Sequence, residues 1–519
     1  MMKRLVVCCD GTWNTPDQED NGILAPTNVF KLYNALADTA PDGTKQVGYY
    51  HPGVGGEGGL VSAVVGGSVG AGISRNIRSA YHWLGQNYAE GDEIYLFGFS
   101  RGAFTARSLG SFLGNGLLNL RGLTAEESRK RVEIAYDQGY RDKEAKRSDW
   151  AKISWKFFHK GAAVPIKFIG VWETVGALGV PNDLEIFNVL DNPSAWEFHD
   201  TSLGKHVARA RHALAIDEIR SSFSATLWSN TEKHKDAVEL WFPGVHSDVG
   251  GGYADCALAS GALLWMMEES GDGGRGLAFR EHGKATIKAD PLGTMHNSFK
   301  GAFAKLRSRP RNLPAMVPAN RSLFHASALE RQEISPIAYP RYHRTIILTP
   351  GESHQVDIFA GRHWNETGIY LESGRKYTFS GAGEWQDSRD FCNWRGTEDG
   401  KYTFGDIMRA KSAFLGKFED AFKKLTKNSS MDFLGTKRVE NMKWFVMVGA
   451  IANDAGAGSK EVVANDGSPA PHQYVDLTAH EATPLEVKAP GYLYCFPNDV
   501  WSLYENNHGS VRLTISCVG

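Results

Sequence analysis

Along the first 340 residues, short apolar runs recur between stretches of helical periodicity. Leu5–Cys9, Lys45–Tyr50, Glu93–Phe97, Pro165–Val171 and Ala237–Phe242 read as strands. Strands alternating with helices predict a mostly parallel sheet covered by helices. Most of these runs end in a polar or glycine-rich motif, and in open α/β sheets ligands bind at the C-terminal ends of the strands. Beyond Pro336–Pro340 the texture changes. Thr345–Leu348, Lys376–Phe379, Trp444–Val448 and Val511–Ile515 are short alternating segments separated by glycine and asparagine turns, the pattern of an antiparallel β-sandwich. The chain therefore reads as an α/β domain over residues 1–340 followed by a sandwich over 341–519.

Two segments interrupt this alternation. Phe414, Phe418, Phe422 and Leu425 recur at helical spacing with lysines on the other face, which predicts a helical insertion at about 410–436 that packs on the sandwich or lies on a membrane surface. Residues 121–160 are dense in charge. They read as a solvated helical pair laced with ion pairs, or as a cap over a site at the strand ends.

Composition narrows the function classes. A length of 519 residues suggests two or three domains. Lys plus Arg number 57 against 59 for Asp plus Glu, so no global charge field argues for nucleic acid. Met1-Met2-Lys3-Arg4 precedes only five apolar residues before Asp10, too few for the core of a signal peptide, so synthesis in the cytoplasm is expected. The glycine-laden apolar stretch Leu60–Ile73 is too short to span a bilayer. Six scattered cysteines lack metal-type spacing and read as buried free thiols.

The candidate chemistry centres on Gly98-Phe99-Ser100-Arg101-Gly102, which follows an apolar run and opens a helical stretch. That order suits a nucleophile elbow, with glycines where any side chain would clash and the serine hydroxyl exposed above the sheet. A serine hydroxyl needs a base and an acid to become a nucleophile. His246, in Gly244-Val245-His246-Ser247-Asp248-Val249-Gly250-Gly251, lies just past a strand and is preferred over His51, His296 and His325. Glu173, in Val171-Trp172-Glu173-Thr174-Val175-Gly176, ends a strand and gives the chain order Ser, acid, His. Asp248 is the alternative acid or a support for its own loop, and Asp217 reads as part of a local ion-pair cluster. Backbone amides of Arg101, Gly11 and Thr12 are the candidate oxyanion donors, the last two in Asp10-Gly11-Thr12-Trp13-Asn14.

These four motifs, in this order across about residues 3–335, resemble the catalytic domain of type VI secretion lipase effectors of the first Tle group. The resemblance implies an α/β-hydrolase fold with a Ser100–acid–His246 triad acting on acyl esters, phospholipids among them. It also implies delivery by type VI secretion, with secretion-apparatus and immunity proteins as partners. The chain departs from the family at the acid, where Glu173 stands in place of the usual aspartate.

Phe496-Pro497-Asn498-Asp499 and the following stretch to Ser510 are rich in side-chain oxygen. They resemble the calcium loop of small bacterial galactophilic lectins, with Asp499, the main chain of Leu503, Asn506 and Asn507 at matching spacings. This implies Ca²⁺ in the C-terminal domain, held largely by neutral ligands, and raises carbohydrate as a further partner. No cofactor is expected for catalysis. Two other readings stay open: an esterase for soluble or carbohydrate-linked esters, and a non-enzymatic binding protein on a hydrolase fold.

Overall fold

The computed structural model describes residues 2–11, 14–53, 68–141, 155–175, 202–300, 308–335, 341–387, 390–397, 437–439, 441–453 and 472–519. In chain order its N-terminal part contains β1 (Lys3–Cys9), the short hairpin β2 (Glu19–Asp20) and β3 (Ile23–Leu24), β4 (Lys45–His51), β5 (Glu93–Phe99), β6 (Ile166–Trp172), β7 (Val207–Ala215) and β8 (Ala237–Phe242). The main sheet runs β4-β1-β5-β6-β7-β8 with every pairing parallel.

Both faces of this sheet are covered, by helices α1 (Asn28–Ala35), α2 (Ser68–Asn87), α3 (Arg101–Leu113), α4 (Ala125–Ile134), α5 (His246–Gly250) and α6 (Ala257–Gly271) together with loops. The strand period of two sorts β1 between them. Leu5 and Val7 pack with Ile77 and Leu84 of α2 and Leu109 of α3. Val6 and Cys8 pack with Val29 and Leu32 of α1 and Leu263 and Met266 of α6. In the described part of the 121–160 segment, Val132, Ala135, Tyr136 and Tyr140 join the α2–α3 side of the core.

One strand of the parallel sheet escapes the sequence pattern. β7 reads Val-Ala-Arg-Ala-Arg-His-Ala-Leu-Ala, a composition that favours a helix. It is a central strand because the alanines fit between β6 and β8, while Arg209 and Arg211 pair with Asp236, Glu269 and Asp272 at the strand's start.

The C-terminal part contains β9 (Ser353–Phe359), β10 (Asn365–Leu371), β11 (Lys376–Ala382), β12 (Trp385–Asp387), β13 (Asp390–Cys392), β14 (Met447–Asn453), β15 (Gln473–Asp476), β16 (Leu485–Glu486), β17 (Gly491–Pro497) and β18 (Asn507–Cys517). One sheet runs β10-β17-β14-β15 and the other β13-β12-β18-β11-β16, with β9 also on β18. All these pairings are antiparallel. Ile369, Phe379, Met447, Leu493, Leu513 and Ile515 fill the space between the sheets. The outer face of the β10-β17-β14-β15 sheet is not left to solvent. Tyr370, Val448, Tyr492 and Phe496 share a core with Leu214, Leu227 and Trp241 of the α/β part and with Leu313 and Met316.

Thr345–Leu348 forms a single bridge, Ile346 to Ile369, rather than a strand. The strand expected from Trp444 begins only at Met447, because Phe445 takes a positive φ of 57°. The helical insertion expected at about 410–436 lies outside the described residues. All six cysteines are free thiols. Among the described residues no helix is long and apolar enough to cross a membrane.

Candidate active site

Ser100 sits between the end of β5 and the first residue of α3 with φ 57° and ψ −124°. A side chain on Gly98 would run into the Gly102 carbonyl, and one on Gly102 into the carbonyls of Cys9 and Asp10. The turn is therefore open only to glycine at both positions. The Ser100 hydroxyl makes no capping bond to the helix it precedes.

Glu173 follows β6, the strand beside β5, and also has a positive φ, 48°. Its side chain is wholly buried and holds His246: the imidazole Nδ1 lies 3.0 Å from Glu173 Oε2. That contact to a carboxylate puts the proton on Nδ1 and leaves Nε2 as the basic nitrogen. His246 opens α5, just beyond β8, and its backbone N–H donates to Glu218 Oε2 at 3.1 Å. Its ring packs 4.7 Å from that of Phe99, the residue before Ser100, and 4.9 Å from that of Phe223. Burial pushes the His246 pKa below its ordinary value, against the upward pull of Glu173. For Glu173, burial alone would raise the pKa, but Arg311 and His246 outweigh it and hold the carboxyl down at about 2.

The other candidates sit elsewhere. Asp248 accepts from the Val245 N–H at 3.0 Å and is 2.6 Å from His296 Nδ1, so the structure gives His246 to Glu173 and Asp248 to His296. Asp217 accepts from the Gly244 N–H and pairs with His343. His51 contacts the Pro52 carbonyl, and His325 stacks on Phe242.

The oxyanion candidates divide. Arg101 is the first residue of α3, so its amide belongs to the helix turn whose N–H groups face the N-terminus. Gly11 lies against Ser100, since a Cβ there would be 3.2 Å from Ser100 Cβ. Its amide, however, donates to Asp10 Oδ1 at 2.7 Å. That corrects the expectation of a Gly11 N–H turned to an oxyanion. Asp10 is buried and also accepts from Thr27 and Tyr50, each at 2.7 Å, which fixes the loop after β1. Thr12 lies outside the described residues.

Two residues of the constellation have no motif in the sequence. Arg311 forks onto Glu173, 3.3 Å to Oε1 and 2.8 Å to Oε2. Glu218 is fully buried, paired with Arg220 and accepting from Ser298 at 3.0 Å. In Arg309-Pro310-Arg311-Asn312-Leu313-Pro314 two prolines stiffen an extended stretch, but nothing there marks Arg311 as the partner of a distant carboxylate.

In the C-terminal loop, Asp499 accepts from Val500 N at 2.7 Å and from Asn507 Nδ2 at 3.0 Å, while Asn506 Nδ2 donates to Asp387 at 3.2 Å. Leu503 lies in the helical turn Trp501–Asn506 between them. The side-chain carbonyls of Asn506 and Asn507 are buried without a hydrogen-bond partner. Among the described residues, no three His, Cys, Asp or Glu side chains group to hold a metal.

Residues 3–269 match the family described as type VI secretion system phospholipase effector Tle1-like, catalytic domain. An uncharacterized protein of Saccharomyces cerevisiae is 29% identical over 238 residues, 43% of this chain and 32% of that protein. The chain is similar to an uncharacterized Pseudomonas aeruginosa protein of known crystal structure, at 18% identity and a TM-score of 0.34, covering 56% of this chain and 49% of that one. It is also similar to the Tle1 effector solved bound to the VgrG spike, at 18% identity and a TM-score of 0.30, covering 49% and 52%. The chain thus spans about a third of the yeast relative and about half of these solved chains.

Proposed function

The chain belongs to the type VI secretion Tle1-like phospholipase effector family through its catalytic domain, and on that premise we propose that it hydrolyses phospholipid acyl esters through a serine nucleophile. The observation that carries the reading is the buried Glu173–His246 contact of 3.0 Å beside an elbow that leaves Ser100 at φ 57°. His246 Nε2 takes the Ser100 proton as Oγ attacks the acyl carbonyl. The Arg101 amide at the helix N-terminus stabilises the resulting oxyanion. Collapse expels the lysolipid alcohol, which takes the proton back from His246. Water, deprotonated by the same imidazole, then releases the fatty acid from Ser100.

Incubating the chain with a mixed lipid extract and reading the products by mass spectrometry tests this. Fatty acid and lysophospholipid are expected from the wild type, with a loss on the order of 10⁶-fold in Ser100→Ala. Equal product from both chains, or no fluorophosphonate adduct on Ser100, refutes it. A wild type that cleaves soluble esters with no gain in rate when lipid aggregates form points instead to soluble or carbohydrate-linked esters. Family membership supports the type VI apparatus as delivery partner and a target-cell membrane as the site of action.

Ca²⁺ fits the loop at Asp499. Two buried amide oxygens without partners and one carboxylate are the hard oxygen donors this ion takes. Asp499, the Leu503 carbonyl, Asn506 and Asn507 would hold it, and it would order the loop joining β17 to β18. Ca²⁺ is expected to raise the melting temperature of the full chain over that in chelator, and Asp499→Ala to lose the increment. Identical melting of the wild type in both buffers removes Ca²⁺ from the account.

A further inference from the structure

Arg311 lies on a strap, residues 308–317, that belongs to neither domain's regular structure. On one side the strap is tied to the ends of the parallel sheet. Ser308 bridges Arg220, the Arg309 N–H donates to the Ile219 carbonyl at 2.6 Å, and Arg311 donates both to Glu173 and, at 2.7 Å, to the Phe223 carbonyl. On the other side the sandwich holds it. Trp364 Nε1 donates to Ser308 Oγ at 3.1 Å, His472 Nε2 to the Pro310 carbonyl at 2.9 Å, and the Met316 N–H to the Tyr492 hydroxyl at 2.9 Å. Leu313 and Met316 are buried in the core the two domains share.

We propose that Arg311 is a positioning residue for the Ser100–Glu173–His246 relay and that the sandwich is the part of the scaffold that holds it in place. The proposal rests on the hydrolase reading above. Without Arg311, the described donors to Glu173 are the Ala215 N–H, at 2.6 Å from Oε1, and His246, at 3.0 Å from Oε2. The terminal carboxylate torsion is soft, and those two donors hold one oxygen each, so a fork on both oxygens adds a second contact to each and stiffens the plane against the imidazole. The planar guanidinium spans both oxygens and fixes that plane, which a lysine's point charge cannot do. The cation also offsets the charge that draws a proton onto His246. Charged groups around that imidazole are Glu173 on Nδ1, Glu218 at its backbone with Arg220 beyond, and Arg311 behind Glu173.

The test uses the full-length chain on a soluble p-nitrophenyl ester, with melting curves to establish folding. Arg311→Lys is expected to lower kcat by about 10²-fold with KM unchanged. Arg311→Ala should also move the acid limb of kcat/KM upward by about one pH unit, because removing a cation favours the protonated imidazole. Millimolar guanidinium should restore part of the Arg311→Ala rate. Should Arg311→Ala fail to fold, Arg311→Lys and the sandwich-side variant Trp364→Phe carry the test. Trp364→Phe keeps an aromatic ring at the position but deletes the donor to Ser308, and is expected to lower kcat by less. Folded Arg311→Lys and Trp364→Phe chains with wild-type kcat and acid limb overturn the positioning role while Ser100 labelling and hydrolysis by the wild type leave the hydrolase reading standing. A wild type that neither labels nor hydrolyses overturns both.

Discussion

Ser100 and Glu173 are held at φ 57° and 48° on neighbouring strand ends, a conformation that costs about 1–3 kcal/mol for a non-glycine residue and persists only where the surroundings dictate it. The acid's environment is as constrained as its backbone: burial raises its pKa, yet Arg311 and His246 bring it to about 2, so it stays an anion at any working pH. In the proposed mechanism, replacing Glu173 by Gln removes the charge that would stabilise the imidazolium, and it leaves Arg311 facing a neutral amide. Glu173→Gln is expected to lower kcat by about 10⁴-fold, short of the loss from Ser100 or His246 variants. Steady-state kinetics on Glu173→Gln and Asp248→Asn check this, and a larger loss in Asp248→Asn would reassign the acid. The strand-end positions of Ser100, Glu173 and His246 were legible in the sequence because each sits in a local motif. Arg311 was not, since its partner is 138 residues away and no periodicity marks the strap.

At the scale of elements, the strand–turn–helix order around Ser100 could be read because glycine spacing and an apolar run are local signals. β7 could not, because its alanines and arginines carry a helical preference that burial between β6 and β8 overrides. The elbow itself makes a sharp claim about packing. A methyl group on Gly102 meets backbone carbonyls of Cys9 and Asp10 rather than a movable side chain, so β1 and α3 would have to separate. Gly102→Ala is expected to destabilise the fold by about 1–3 kcal/mol and to reduce fluorophosphonate labelling of Ser100. A variant that melts and labels like the wild type would show that the turn has slack the structure does not.

For the whole molecule, the change of texture near residue 340 separates a parallel from an antiparallel pattern in the sequence, but it carries no information about the face that joins the two sheets. That face is a continuous core, and a partly buried charge cluster pins it. His343 lies between Asp217 of the α/β part, at 2.9 Å, and Glu366 of β10, at 3.3 Å. Asp217 in turn accepts from the N–H of Gly244, two residues before His246, and from the Tyr342 hydroxyl at 3.0 Å. Burial alone would push the His343 pKa down, but Glu366 and Asp217 outweigh it and raise it to about 10. A raised folded-state pKa means that the stabilisation is fully present below the unfolded value of about 6.5 and is lost as pH climbs toward about 10. The full chain should therefore unfold in a single transition whose midpoint falls across that window, and His343→Gln should melt lower with a flatter dependence on pH over the same range. Calorimetry of both chains at several pH values between 6 and 10 is the measurement. Two separated transitions in the wild type would mean that the domains do not act as one unit, and equal slopes in the two chains would remove His343 from the cluster that joins them.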